Sequence, residues 1–184
     1  MKIQTNIIDS LNEVVKKEWR EHLKTICFEF DADKNELSMV GTDAQVMVVH
    51  TIKVQPDDVD LCKKWFDGSA YYLPNTKEKT AYVEIFEQDG RLMFENYVMQ
   101  KFDGQYPNWK CVVPTKDLEP ATQYCGWNPD LIKKADKVMG NKKCTIMSER
   151  PLVQATESEY RAPHVWNRQI DDWKTTLVVM PMKI

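Results

Sequence analysis

The carboxyl-terminal segment places the strongest constraint on the fold of this 184-residue chain. Chain termini are usually polar and frayed, whereas here an apolar run, 177–184, extends to the last residue. The stretch from Thr175 to Val179 is rich in β-branched residues and predicts a strand that is buried on both faces. Because Pro181 has no N–H group, strand pairing is expected to stop there or to lie at a sheet edge. The simplest interpretation is a last strand that closes a sheet.

Composition excludes several classes of protein. Apolar residues make up 42% of the chain, which is enough for a core and argues against global disorder. The net charge of −3 excludes a uniformly basic nucleic-acid binder but leaves room for a local basic face. The five cysteines form no CxxC pair, which indicates reduced thiols in an intracellular protein. Since no signal peptide or membrane-spanning apolar stretch is found, we expect a cytoplasmic protein that does not contact membranes.

Two segments have the apolar spacing of amphipathic helices. The first runs from Asn6 to Lys24, with Asn6 as its amino-terminal cap. The second begins at Asn128-Pro129-Asp130, a cap followed by a proline and an acid in the first turn, and it ends at Gly140. Residues 128–143 hold five lysines and two aspartates, a net charge of +3 in a chain that is −3 overall.

Positively charged side chains follow the outer faces of both predicted helices. They are Lys16, Arg20, Lys24, Lys133, Lys134 and Lys137. The first three have the spacing i, i+4, i+8, which predicts one line of positive charge along the first helix. Glu13 and Glu21 are spaced to neutralise part of that line, so an ordinary solvated face is the alternative there.

The rest of the chain predicts mainly strands. Period-two alternation predicts strands at 26–30 and 37–54, and Asp89-Gly90 predicts a tight turn between strands at 82–86 and 91–94. Further expected elements are strands at 70–74, 97–102, 144–147 and 152–155, a short helix at 59–66, a polar connector at 114–120 and a polar insertion at 157–174. Such a chain mixes helices with strands that are joined mostly by turns, as in an α+β fold.

Three stretches resemble, in the same order, parts of the bacterial β sliding clamp family, the processivity subunit of DNA polymerase III. Leu37 to Met47 is similar to the family's leucine-x-valine-alanine-threonine-aspartate-glycine strand and turn. Phe102 to Pro114 is similar to the segment that ends the middle clamp domain, with its Asp-Gly and aromatic-proline pattern. Val178 to Ile184 closely resembles the carboxyl-terminal tail of the family.

The resemblance implies a DNA-clamp-like α+β fold, with antiparallel sheets and two amphipathic helices packed on one side. We expect three segments in one compact unit. They are a helix-plus-strands half-module at 1–55, a mostly-strand module at 56–115 that ends in the Tyr106-Pro107 motif, and a second helix-plus-strands half-module at 116–184. A clamp subunit is longer, so one compact domain with extra strands and one and a half domains both remain open. Closing a ring would require a homo-oligomer with cyclic contacts.

The resemblance also implies two binding surfaces. One is an apolar cleft beside the tail, which would accept peptides of a DNA polymerase or of other clamp-binding proteins. Its lining would comprise Leu23, Thr42, Met47, Pro107, Val112, Val178, Met180, Pro181 and Met182. The other is the set of six basic side chains on the helices, which would contact double-stranded DNA phosphates without reading sequence. The chain departs from the family at Ala44-Gln45-Val46 and at Cys111, which affects the choice of partner.

The residues give little support to catalysis. The three histidines are not spaced with cysteines or acids as metal ligands, and the chain has no Gly-rich phosphate loop or nucleophile elbow. Clustered aspartates at 57–60 and 171–172 allow a metal nuclease as an alternative, although such clusters commonly begin helices or form solvated turns. We therefore expect a DNA replication accessory factor that is not an enzyme and needs no cofactor or metal. The alternatives are a clamp-like adaptor or decoy that binds peptides without DNA, and a structural domain with neither activity.

Overall fold

The computed structural model describes residues 1–74, 80–113, 118–120, 129–139, 149–151, 164–170 and 173–179. The helices are α1 Thr5–Val15, α2 Val59–Trp65 and α3 Pro129–Met139, with 3-10 turns at Glu21–Leu23, Pro56–Asp58 and Trp109–Cys111. The strands are β1 Lys2–Gln4, β2 Ile26–Asp31, β3 Glu36–Thr42, β4 Val46–Lys53, β5 Asp67–Tyr72, β6 Tyr82–Gln88, β7 Arg91–Phe94, β8 Tyr97–Val98, β9 Gln100–Lys101, β10 Leu118–Pro120, β11 Glu149–Pro151, β12 His164–Ile170 and β13 Trp173–Val179. None of the helices in these ranges is both long and apolar enough to cross a bilayer.

The strands form two antiparallel sheets. The larger sheet has nine strands in the order β10-β11-β12-β13-β4-β3-β2-β5-β9, and the smaller has the order β1-β6-β7-β8. The predicted terminal strand is β13, which is buried and pairs with β12 on one side and β4 on the other. The Asp89-Gly90 hairpin is confirmed, because both residues have positive φ angles, as a type I′ turn requires. The larger sheet takes strands from all three segments predicted from the sequence; the division itself stays a prediction.

One face of the larger sheet is closed by α1 and α3, which pack side by side on it. Both helices contribute to one apolar core, α1 through Leu11 and Val14 and α3 through Ala135 and Val138. At Gly41 a Cβ atom would lie 3.3 Å from Leu11 Cδ2, so a side chain there would crowd α1. The smaller sheet adds its apolar face to the same core. The predicted fold class, α+β with antiparallel sheets and two amphipathic helices on one side, is confirmed.

The first helix is shorter than the sequence predicts. It begins after Gln4, whose side chain makes no capping bond, and it ends at Val15, so the prediction of a helix capped by Asn6 is wrong. The carboxylate of Glu18 accepts hydrogen bonds from the backbone N–H groups of Trp19 and Arg20, which holds the chain in a turn there. The basic residues at 16, 20 and 24 therefore do not form one line along a helix. Trp19, which lies within the predicted helix range, is 79% exposed.

The second half of the predicted polar insertion is part of the larger sheet. Seven residues of β12 pair with β13, and Val165 and Trp166 are buried. The Arg168 guanidinium donates a hydrogen bond to the Met139 carbonyl, which links β12 to the end of α3. The prediction of an insertion is therefore wrong for residues 164–170 and 173–174, where backbone pairing outweighs the polar composition.

Two other strand predictions need correction. The predicted strand at 97–102 is divided into β8 and β9, which join different sheets. Part of the predicted connector, 118–120, is the short strand β10, which pairs with β11. The strands predicted at 144–147 and 152–155 lie outside the described residues.

Candidate peptide-binding cleft

The second face of the larger sheet is covered by one irregular segment, residues 102–113, here called the cover segment. It packs on an apolar layer that consists of Cys27, Val40, Met47, Val49, Ala70 and Val178. Tyr106 enters this layer, and its hydroxyl donates a hydrogen bond to the Val40 carbonyl at 3.1 Å. Burial raises the pKa of Tyr106, which keeps the phenol protonated as a donor. The Phe102 N–H also donates to the Ala70 carbonyl, at 2.8 Å. These two hydrogen bonds fix the first part of the cover segment to the sheet.

A cavity of about 290 Å³ opens beside this apolar layer and is called the cleft. Its lining residues are Arg20, His22, Leu23, Thr42, Ala44, Gln45, Val46, Met47, Pro107, Asn108, Trp109, Val112 and Val178. They come from the segment after α1, the turn between β3 and β4, the cover segment and β13. Met47 and Val178 are direct partners across β4 and β13. The cleft thus depends on residues that are far apart in sequence.

Six residues of the predicted peptide site line this one cavity. They are Leu23, Thr42, Met47, Pro107, Val112 and Val178. The other three, Met180, Pro181 and Met182, lie outside the described residues. Of the remaining seven lining residues, Ala44, Gln45 and Val46 were noted from the sequence only as departures from the clamp family, and Arg20, His22, Asn108 and Trp109 were not predicted for the cleft. Each of the seven is within three positions of a predicted residue, so proximity in sequence is a signal that could have found the other four.

One wall of the cleft is the β3–β4 turn, residues 42–46. The Thr42 hydroxyl donates to the Val46 carbonyl and accepts from the Ala44 N–H, both at 3.0 Å. The Asp43 carboxylate accepts the N–H groups of Gln45 at 3.0 Å and Val46 at 2.7 Å. Ala44 has a φ of 68°, in the left-handed region that costs energy for any residue with a Cβ atom. Side-chain hydrogen bonds therefore fix the shape of this wall.

Arg20 joins the segment after α1 to the β3–β4 turn. Its Nε and Nη2 atoms donate to the Glu18 carboxylate at 2.8 and 2.7 Å, and Nη2 also donates to the Asp43 carbonyl at 3.0 Å. The hydrogen bond with the Arg20 side chain lowers the pKa of Glu18 to about 2. Arg20, predicted as a DNA contact, therefore lies in the wall of the cleft.

The opposite wall is held by Glu29. Its carboxylate accepts a hydrogen bond from Trp109 Nε1 at 3.1 Å and forms an ion pair with Lys110. Cys111 is exposed, and its thiol donates to the Asn108 carbonyl at 2.8 Å. The indole of Trp109 consequently presents a fixed aromatic surface to the cleft.

The six basic residues predicted to contact DNA are each paired with a carboxylate. The pairs are Lys16 with Glu13, Arg20 with Glu18, Lys24 with Glu21, Lys133 with Asp130, Lys134 with Asp43 and Lys137 with Glu13. Because Glu13 pairs with both Lys16 and Lys137, the end of α1 and the face of α3 share one acidic group. The charge available to phosphates is therefore smaller than the count of lysines suggests.

A buried Ser10–His50–Thr175 chain resembles a catalytic arrangement but is not placed for catalysis. The Ser10 hydroxyl donates to the Ile7 carbonyl, so its oxygen accepts from His50 Nε2, and His50 Nδ1 accepts from the Thr175 hydroxyl at 2.9 Å. All three residues are buried, and burial lowers the pKa of His50 to about 3. In the part of the chain that the structure describes, no group of three or more His, Cys, Asp or Glu side chains could hold a metal ion.

Comparison with known proteins identifies the fold. No protein-family model and no curated protein matches the sequence. The Helicobacter pylori β clamp in complex with 3,4-difluorobenzamide matches 100% of this chain and 66% of the clamp chain, with 12% identity and a TM-score of 0.58. The Thermotoga maritima DNA polymerase III β subunit matches 100% of this chain and 65% of its own, with 14% identity and a TM-score of 0.58.

A third similar structure carries a peptide. The Helicobacter pylori β clamp bound to a DNA ligase peptide matches 100% of this chain and 66% of its own, with 12% identity and a TM-score of 0.57. The chain thus spans slightly less than two thirds of the length of these clamps. The resemblance seen in the sequence is confirmed at the level of architecture: this chain has the fold of the bacterial DNA polymerase III β sliding clamp.

Proposed function

We propose that this protein is a clamp-like accessory factor for DNA replication that binds partner peptides in the cleft and has no catalytic activity of its own. One observation carries the proposal. Six residues expected to line a peptide site, drawn from distant parts of the sequence, line a single cavity of about 290 Å³. Apolar clefts with a few fixed polar groups are the usual form of sites that accept the anchor side chains of short peptides.

The walls of the cleft suit an extended peptide with apolar anchors. Met47 and Val178 offer an apolar surface, and Trp109 adds an aromatic one whose N–H is already bonded to Glu29. A preformed site of this kind binds with little loss of conformational freedom in the protein. The complex of the similar Helicobacter pylori clamp with a DNA ligase peptide supports this use of the fold.

Binding to the DNA ligase peptide, measured by fluorescence anisotropy, tests the proposal. Val112 lines the cleft and is 40% exposed, so Val112→Asp places a charge among apolar anchors without disturbing the core. We expect the affinity to fall by about tenfold or more, as for residues central to an interface. Val98→Asp, at a 52% exposed position on β8, is the matched control and should bind as the wild type does. Absence of peptide binding by the wild type, or equal affinity of the two variants, would contradict the proposal.

Sequence-independent contact with double-stranded DNA is the second part of the proposal. Lys133 and Lys137 are the exposed basic side chains of α3, and their pairs with Asp130 and Glu13 are 3.8 and 3.2 Å long. Phosphates can compete with such exposed pairs, because surface ion pairs contribute little energy. Binding of this kind should weaken as salt rises.

A clamp-like adaptor or decoy that binds peptides without DNA is the second candidate. The pairing of all six predicted DNA contacts with carboxylates favours it. Titration with a short duplex at several salt concentrations separates the two. Loss of duplex binding in Lys133→Ala/Lys137→Ala, but not in the control Lys34→Ala/Lys53→Ala, supports the DNA-binding factor. Peptide binding without any duplex binding supports the adaptor.

Encirclement of DNA requires a closed homo-oligomer, because this chain spans only part of the length of a clamp subunit. Light scattering over a dilution series gives the solution mass relative to the 21.6 kDa monomer. A stable higher oligomer supports a ring. A monomer at every concentration would contradict an autonomous clamp and leave the cleft as the functional site.

A further inference from the structure

We infer that Lys134 is a positioning residue for the cleft: through Asp43, its ammonium group holds the β3–β4 turn in the shape that forms one wall. The inference rests on the proposed peptide-binding function. It gives a distinct role to one of the three lysines on α3, a helix that contributes no residue to the lining of the cleft.

Lys134 reaches the turn from α3, outside the lining of the cleft. Its Nζ atom forms an ion pair with Asp43 Oδ2 and lies 3.4 Å from the Val14 carbonyl, near the end of α1. The side chains of Lys134 and Asp43 are only 19% and 14% exposed. Lys133 and Lys137, by contrast, are 75% and 62% exposed. Lys134 is therefore the one α3 lysine in the described helix whose charge is directed into the protein.

Asp43 connects Lys134 to the wall of the cleft through its two carboxylate oxygens. While Oδ2 accepts from Lys134, Oδ1 accepts the N–H groups of Gln45 and Val46, both of which line the cleft. The carboxylate can hold both N–H groups only in one orientation, and the ammonium fixes that orientation. One ion pair thus controls two backbone hydrogen bonds in the wall.

Loss of the ammonium would leave a mostly buried carboxylate without its nearest counter-charge. A buried charge without a partner is costly, so Asp43 would rotate toward water and release the N–H groups of Gln45 and Val46. Ala44, which has a φ of 68°, would then have less to hold it in the left-handed region. The wall would relax, and the cleft would lose its preformed shape.

The test compares four single variants and the double variant Lys134→Met/Asp43→Asn, all in the whole chain, for binding of the DNA ligase peptide and for amide hydrogen exchange. Lys134→Met keeps the aliphatic stem and removes the charge, whereas Lys134→Arg keeps the charge. Asp43→Asn removes the charge at the other end of the pair. Lys53→Met, at an exposed lysine of β4 that pairs with Glu36, is the matched control.

Both Lys134→Met and Asp43→Asn should weaken peptide binding about tenfold, with the double variant no weaker than either, as expected for two residues of one pair. Lys134→Arg and Lys53→Met should bind as the wild type does. Amide exchange at Gln45 and Val46 should accelerate in Lys134→Met and stay slow in Lys53→Met.

The two readouts separate this inference from the proposed function. If the wild type does not bind the peptide, peptide binding is refuted, while amide exchange at Gln45 and Val46 still tests the role of Lys134. Unchanged exchange and affinity in Lys134→Met would overturn the inference. So would equal losses in Lys134→Met and Lys134→Arg, because the charge would then not be the cause.

Discussion

The two faces of the larger sheet are covered in different ways. On one face α1 and α3 pack as a regular helix pair and leave apolar residues such as Val48 and Leu177 fully buried. On the other face the irregular cover segment reaches only part of the apolar layer, and the cleft opens beside it. Regular helices seal a sheet because their apolar stripes are continuous, whereas a loop fixed at a few points leaves room for a ligand.

Neighbouring residues of β4 give the largest expected contrast between the faces. Val48→Ala removes two methyl groups beneath the helices, and we expect a loss of about 2 to 3 kcal/mol in the free energy of unfolding. Val49→Ala makes the same change beneath the cover segment and should cost less, because that segment can move into the space. Chemical denaturation of both variants measures the difference. Equal losses would show that the two faces are packed equally rigidly.

Acid should destabilise the protein through His50, which lies on the face of the larger sheet that α1 and α3 cover. Burial lowers the pKa of His50 from 6.5 to about 3, so the unfolded state binds a proton that the folded state excludes. The stability that comes from excluding this proton is fully present above pH 6.5, and it is lost as the pH falls from 6.5 toward 3. Between pH 6.5 and 4.5 we expect the free energy of unfolding to fall by about 2 kcal/mol because of this one group.

Denaturation curves of the wild type and His50→Gln over that pH range provide the measurement. The variant lacks the titrating imidazole, so its stability should fall less steeply as the medium is acidified. Parallel pH profiles of the two proteins would contradict the assignment to His50.

A smaller effect is expected where the cover segment is fixed to the sheet. Tyr106→Phe removes the hydrogen bond to the Val40 carbonyl, which is worth about 1 kcal/mol of stability. Because the cover segment forms one wall of the cleft, peptide affinity should fall by about threefold as well. Tyr97→Phe, at an exposed position on β8, is the control and should change neither quantity. A stability loss with unchanged peptide affinity would show that the Tyr106 hydrogen bond does not affect the shape of the cleft.

The smallest expected effect concerns the surface anchor at Glu29. Glu29→Gln removes the ion pair with Lys110 and weakens the acceptor for Trp109 Nε1. Exposed pairs contribute little, so we expect about twofold weaker peptide binding and almost no loss of stability. Titration calorimetry with the DNA ligase peptide is sensitive enough to detect this. A loss of tenfold or more would mean that Trp109 dominates the cleft.

Local patterns in the sequence predict much of the fold. The buried strand from Thr175 to Val179, the Asp89-Gly90 hairpin and α3 all follow from side-chain periodicity and turn residues within a few positions. The early end of α1 does not follow from such patterns. It depends on the Glu18 carboxylate, which accepts backbone N–H groups that a continued helix would use. Residues 164–170 were assigned to a polar insertion because their composition hides a strand that pairing with β13 stabilises.

The candidate site was predictable only in part. The resemblance to clamps named six residues of the cleft lining, although they are scattered between positions 23 and 178. It did not predict the ion pairs, since Lys134 and Asp43 are 91 positions apart and Lys137 and Glu13 are 124 apart. Periodicity places a lysine on the outside of a helix, but which carboxylate it meets depends on how distant elements pack.

The left-handed conformation of Ala44 has a consequence for transplanting this surface. A residue with a Cβ atom adopts that conformation only where its surroundings impose it, at a cost of about 1 kcal/mol. Here Thr42 and Asp43 bond within the turn, and Arg20 and Lys134, contributed by other elements of the chain, hold Asp43 in place. A synthetic peptide that copies residues 40–48 would lack both and would not keep the turn. Recognition by this wall therefore belongs to the folded protein and cannot be moved to another scaffold as a linear sequence.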